Sequence, residues 1–286
     1  MIARILLLLG FFSATALAQS EVPATAYLKN GRNFQGIVVS VNRTKIDFRL
    51  EQSAAGLVSF KHDEIRHVEF SPNTEWAEAM QAFAQRNYEQ AALKLEAIAK
   101  KRNSSTFYPA IGNFSSLADR RLLDCYRRMM KPEGMPAVVN RIEWDKLPPA
   151  ERDAYTVASV WSAVGQKDWP GAIQAADEAL RDVPPGSSDA NEASYLKGLA
   201  LDENGDEEKA VVAFGAVIGP YPGANRRTAS EAIRRSAAIL AKNPERSGEL
   251  QALVHIYAKS FGNGKLWPEA TPEMKKLLAE ELKPAF

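Results

Sequence analysis

Cysteine is almost absent: Cys125 stands alone in 286 residues, which excludes an internal disulfide framework and a cysteine metal cluster. Histidine is nearly as rare, with only His62, His67 and His255. His62 and His67 lie five apart in a strand pattern, which sends them to opposite faces, whereas a zinc-protease pair needs four-residue spacing on a helix. No metal site is expected. His255 lies in a helical stretch and reads as a partly buried residue. A G-x-S-x-G elbow, a phosphate-binding glycine loop and a dinucleotide fingerprint are all missing. The sequence therefore points away from an enzyme and implies no cofactor. No run of 18 apolar residues follows residue 20, so no transmembrane anchor is expected there. Charge of one sign is lacking too. Lys and Arg number 36 against 35 Asp and Glu, so nothing global draws the chain to nucleic acid or a lipid surface.

What is present is an ordinary globular composition, 45% hydrophobic and 25% charged, with enough chain for one large or two modest domains. Residues 1–18 read as a secretory leader: Arg4, an apolar run over 5–12, and Ala16-Leu17-Ala18 as a cleavage site before Gln19. The apolar run is shorter than the ~20 residues a spanning helix needs. No cysteine follows the cleavage site, so the expectation is a secreted or periplasmic protein without a lipoprotein anchor. Cys125 sits in Leu122-Leu123-Asp124-Cys125-Tyr126, an apolar helical stretch where it reads as a small buried hydrophobe.

From about Ala24 to Phe70 the pattern has period two. Short strands are expected at 25–29, 32–41, 45–50, 57–60 and 65–70, with Asn30-Gly31 as a hairpin turn whose two residues both tolerate positive φ. Phe34, then Ile37, Val39 and Val41, share one face after an offset at Gly36, where a bulge is expected. Five strands this short bury an interior only by curling into a small barrel. The residues Leu28-Lys29-Asn30-Gly31-Arg32, Gly36-Ile37-Val38-Val39-Ser40-Val41 and Ile65-Arg66-His67-Val68 resemble an SH3-like or Sm-like barrel. Sm-like barrels bind RNA through an acidic residue and an asparagine after the second strand. Asn42-Arg43-Thr44-Lys45 lacks that pair, so the resemblance carries the barrel without the RNA site.

After residue 71 the period becomes 3.6 and stays there, with helical stretches at 75–101 (broken at Arg86-Asn87), 115–130, 135–142, 151–164, 169–183, 191–203, 206–218, 229–242, 248–260 and 272–282. Self-similarity organises them. Gly165 to Ala172 and Glu203 to Ala210 align at an interval of 38, bringing Asp168 onto Asp206 and Ala172 onto Ala210, with Pro184 and Pro222 closing each copy. An earlier copy lies at Asn87 and Ala91, and a degenerate one fits residues 115–142, where Pro132 and Pro136 intervene. Asn87, Asp168 and Asp206 are expected to cap second helices. Ala91, Ala172, Ala210 and Gly198 allow close helix approach, and Leu95 and Phe214 fill the space one turn on.

The best copy, with Tyr195, Gly198, Leu201, Gly205-Asp206, Ala210, Phe214 and Pro222, resembles the tetratricopeptide repeat. The resemblance covers residues 73–225. It implies that first helices line a concave groove for a peptide or partner helix, at Trp76, Met80, Phe83, Val157, Trp161, Tyr195, Leu199 and Asp202. Trp267 is expected to cap the array. A second candidate is charge: Arg120, Arg121, Arg127 and Arg128 lie on adjacent faces of one helix and offer an anionic-ligand surface. The expected fold is mainly α, a tetratricopeptide-like helical-hairpin solenoid over 72–286 preceded by a small five-stranded β barrel over 19–71. The expected function is a non-enzymatic exported adaptor that binds a protein or peptide partner in the bacterial cell envelope. The alternative is a binder of an anionic envelope polymer or carbohydrate.

Overall fold

The computed structural model describes residues 22–41, 44–50, 56–70, 74–100, 114–147, 152–219, 225–261, 275–277 and 279. The leader at 1–18, Asn42-Arg43, Pro222, Trp267 and most of the expected 272–282 helix lie outside the described residues.

Five strands form where alternation placed them: β1 (Val22–Leu28), β2 (Asn33–Val41), β3 (Lys45–Leu50), β4 (Leu57–Lys61) and β5 (Ile65–Phe70). All pairs are antiparallel, in the order β4-β3-β2-β1-β5. Three residues join β4 to β5, with Glu64 N–H donating to Lys61 O and Ile65 N–H to His62 O, and this tight turn delivers β5 to β1. The ladder thus stays open between β4 and β5. Side chains close the curl: Ala26, Val38, Ile46, Phe48, Phe60 and Val68, drawn from all five strands, form one buried cluster. Between β1 and β2 the turn needs one left-handed residue, Gly31 at φ +85°, not two. The inward face of β2 also differs from expectation. Phe34, Gly36 and Val38 stay in phase with Ala26, Ala24 and Val22, and the register shifts only after Val38. Ile37 and Val39 are therefore not the core face. Gly36 is required by close approach, because a Cβ there would lie 2.4 Å from the Arg49 carbonyl oxygen.

The helices are α1 (Thr74–Ala84), α2 (Tyr88–Lys100), α3 (Phe114–Met129), α4 (Met135–Val139), α5 (Ala158–Gly165), α6 (Trp169–Asp182), α7 (Ser188–Glu203), α8 (Glu207–Ile218), α9 (Arg226–Leu240) and α10 (Ser247–Phe261). They share one core, separate from that of the sheet. Each packs on its sequence neighbour, and α7 also touches α5 and α9, so alternate helices line up on one side. That is the contact pattern of stacked helical hairpins. Gly198 and Phe214 meet as expected, since a Cβ on Gly198 would lie 2.6 Å from the Phe214 ring. The stretch at 135–142 shortens to five helical residues after a 3-10 turn at Pro132–Gly134. Pro136, tolerated only in a first turn, begins this helix anew.

Four first helices end alike. After α1, α3, α5 and α7, the residues Arg86 (φ +61°), Met130 (+56°), Lys167 (+58°) and Gly205 (+85°) adopt the left-handed conformation. In each case the following N–H reaches back five residues, Asn87 to Ala82, Lys131 to Tyr126, Asp168 to Ala163 and Asp206 to Leu201, at 2.8–3.0 Å. This paired-bond terminus satisfies the last carbonyls of the helix. Two of the three expected caps follow it: Asp168 accepts from Gly171 N–H at 3.1 Å, and Asn87 from Gln90 N–H at 3.3 Å. Asp206 does not cap with its side chain; its carboxylate sits 3.3 Å from Lys209 Nζ instead.

Candidate partner-binding groove

The first helices leave a groove of about 780 Å³ on their shared side. Its walls come from the α1–α2 turn (Arg86, Tyr88), the C-terminal half of α3 (Asp124, Arg127, Arg128) with Met130, the middle of α5 (Trp161), the start of α7 (Ser188, Glu192) and the start of α9 (Arg226, Arg227, Thr228). A second pocket of about 310 Å³ shares Met130, Trp161 and Arg227 with it and adds Pro132, Tyr195, Leu199, Glu231 and Arg235.

The floor is a buried charged network. Trp161, 1% exposed, donates its indole N–H to Glu192, which also accepts from Arg127 Nε at 2.8 Å. Arg127 Nη2 reaches Asp189 at 3.2 Å. Burial works against charge on Arg127, but its hydrogen bond to Glu192 and the nearby carboxylates outweigh that and hold the guanidinium charged beyond its usual range. Burial raises the Tyr195 phenol. Across the mouth, Arg227 Nη1 donates to the Arg128 carbonyl at 2.5 Å and Nη2 to the Met129 carbonyl at 3.1 Å. Arg227 thus ties the start of α9 to the negative end of α3.

Of the residues proposed for the groove, Trp161, Tyr195 and Leu199 are brought together. Asp202 lines a separate pocket of about 390 Å³ and pairs with Arg235 at 2.8 Å. Val157 is fully buried and offers nothing to a partner, because the chain turns there and α5 starts one residue later. Trp76, Met80 and Phe83 are half-buried on α1 against the helical core and do not line these pockets, although the Phe83 ring packs edge-on against groove-lining Tyr88 at 5.3 Å. Phe83 is covered by the Arg121 guanidinium, 5.6 Å from its ring centroid.

The basic helix face is divided. Arg120 is only 7% exposed and cannot form a surface, while Arg121 is tied to Asp124 at 2.8 Å. Arg127 and Arg128 turn into the groove. The two candidate surfaces, aromatic and basic, thereby merge into one site. Sequence reasoning missed Arg86, Glu192, Arg226 and Arg227. One signal was legible: Arg226-Arg227 directly after Asn225 puts two cations in a helix first turn with no acid, where the helix dipole disfavours them.

Among the described residues, no group of three or more His, Cys, Asp or Glu is placed to hold a metal ion. Burial pushes the Cys125 thiol up to about 12, so it is a packing residue rather than a thiolate. His67 stacks on Tyr27 with ring centroids 4.3 Å apart.

Residues 157–225 match a family model described as tetratricopeptide repeat. The hairpins within residues 157–225 are thus similar to tetratricopeptide repeats. No curated protein matches the chain. Among solved structures, a crystal structure of TPR-like repeats from a Podospora anserina kinesin light chain is similar, with 11% identity, 65% of this chain and 94% of that chain covered, and a TM-score of 0.44. The matched tetratricopeptide segment spans α5 to α8, and the stacking continues into α9 and α10. Repeats of this type generally mediate protein–protein interaction, and the groove lies on their first-helix side.

Proposed function

We propose that this protein is a non-catalytic binding module that holds a segment of a partner protein in the groove between α3, α5, α7 and α9. The observation that carries this reading is the groove itself: arginines converge beside Met130, Pro132 and Leu199 on the first-helix side of the stacked hairpins. Stacked hairpins suit such a task because each buries its faces against its neighbours and leaves one long side free. The leader-like residues 1–18 support work outside the cytoplasm, in a bacterial envelope, where the module would act as an adaptor or scaffold. No described helix is long and apolar enough to cross a membrane. An anionic polymer on the α3 face is the weaker reading, because Arg120 is buried and Arg121 is paired.

A photo-crosslinking amino acid placed at Leu199 in the groove, and separately at the 76% exposed Val212 on α8, tests the proposal in living cells. The expected result is a discrete crosslinked partner from position 199 and none from 212. Crosslinks from 212 alone would move the binding surface to the other side of the array. Cell fractionation in the same experiment reads the location, with a shortened, exported form expected.

A further inference from the structure

We propose that the groove takes a short acidic segment of the partner protein, whose carboxylates meet Arg86, Arg128, Arg226 and Arg227. This rests on the groove being the binding site, as proposed above.

Charge balance inside the groove is the first argument. Five arginines line it against two carboxylates, and both carboxylates are already engaged: Asp124 with Arg121, and Glu192 with Arg127 and Trp161. Among the described residues, Arg86 and Arg128 have no side-chain hydrogen bond or ion pair. Arg226 donates to the Ser260 carbonyl, and Arg227 to those of Arg128 and Met129. Those bonds leave both guanidinium charges without a carboxylate. Among the described residues, four cations without a carboxylate therefore face one groove, Arg226 also lying over the Phe261 ring at 5.4 Å, in a chain whose total charge is only +1. Arginine suits this use because its planar fork engages a carboxylate through two parallel bonds.

The second argument is that three of the four sit where local structure disfavours them. Arg226 and Arg227 occupy the positive end of α9, and no acid in the first turn relieves them. Arg86 holds a left-handed backbone at φ +61°, where the equivalent turn after α7 uses Gly205. Backbone strain retained next to a cavity marks residues kept for what their side chains contact.

The adjoining pocket distinguishes a protein segment from a polymer. Met130 and Trp161 are shared with the adjoining pocket, whose further lining includes Pro132, Tyr195 and Leu199. That pocket also holds Glu231 and Arg235, so an acidic segment carrying an apolar side chain can lay it against Met130, Pro132 and Leu199, whereas a uniformly charged polymer leaves those three uncovered.

A phage-displayed library of random twelve-residue peptides, selected on the immobilised full chain, tests this. The expected outcome is enrichment of sequences with clustered Asp and Glu around an apolar residue. The best such peptide, synthesised with a fluorophore, should lose affinity about tenfold for Arg128→Ala and for Arg226→Ala, and little for Arg181→Ala on α6. Its binding should weaken several-fold as salt rises from about 50 to about 300 mM. Circular dichroism checks that each variant is folded, and Arg128, whose side chain has no hydrogen-bond or ion-pair partner among the described residues, is the safer of the two. Enriched peptides that are neutral or basic, or an acidic peptide indifferent to both arginines, would overturn the acidic assignment, and a crosslink from position 199 would then keep the groove as the partner site. Enrichment of nothing, together with no crosslink from position 199, would instead overturn the groove. Tighter binding of polygalacturonate than of any selected peptide would also overturn the proposal, in favour of a polymer.

Discussion

Gly205 and Arg86 occupy equivalent places, each closing the first helix of a hairpin in the left-handed region, with the same back-reaching hydrogen bonds. Around Gly205 every repeat position serves packing: Gly198 lies under Phe214, Ala210 is fully buried, and the turn residue is the one amino acid that adopts this φ without strain. Around Arg86 and Met130 the backbone is the same and the chemistry is not. Both turn residues line the groove, α3 is followed by only a short second helix, and the last turn of α3 supplies Arg127 and Arg128. The comparison teaches that the architecture tolerates a departure from its own packing rules, and that two such departures gather on the groove. Lys167, the third non-glycine at this position, does not line it, so it serves as a control.

The strongest way to break the comparison is to remove a carboxylate from the groove floor. Glu192→Ala leaves Arg127 buried with only Asp189, and should cost about 3 kcal/mol, read by urea denaturation. A loss below about 1 kcal/mol would show that the floor is not a built network. On the packing side, Gly198→Val drives a side chain into the Phe214 ring and should cost about 2 kcal/mol. Smaller still, Gly205→Arg should destabilise by about 1 kcal/mol, and Lys167→Gly should stabilise by a similar amount, both through the left-handed turn alone. The least effect comes from pH. Glu96 is held below its ordinary value by its hydrogen bond to Arg141. Burial works to raise the Glu231 carboxyl, but Arg234 and Arg235 outweigh it and hold that group low as well. Both carboxyls are depressed in the folded state, so their contribution is complete above about pH 4.3 and is lost as pH falls through the folded value. Glu96→Gln should therefore flatten the decline of stability between about pH 5 and pH 3. An unchanged slope would remove that pair from the acid response.

Much of the fold was legible because its signals are local. The five strands follow from period-two alternation, and the hairpins from the recurring aspartate and alanine, the small Gly198 and the large Phe214. The inward face of β2 was misread because the irregularity comes after Val38, while Gly36 answers to a neighbouring carbonyl that no pattern within the strand reveals. The Asp206 cap failed for a similar reason: Lys209 competes for the same carboxylate. The site was half legible. Trp161, Tyr195 and Leu199 follow from the groove positions that the resemblance implies, but Arg127 meets Glu192 across 65 positions, and Arg227 reaches α3 across 99. Contacts at that separation depend on how the hairpins stack, which a single helix pattern does not encode. Arg86 was read only as a break between helices, although a long cation at a turn that favours glycine is a signal available from sequence.

The most direct test of the account measures stability and partner affinity together for Arg86→Gly and Lys167→Gly. The account predicts that both substitutions raise stability by about 1 kcal/mol, and that only Arg86→Gly weakens binding of an acidic peptide, by about tenfold. Equal affinities for the two variants, or an Arg86→Gly protein that binds as well as the parent, would contradict it.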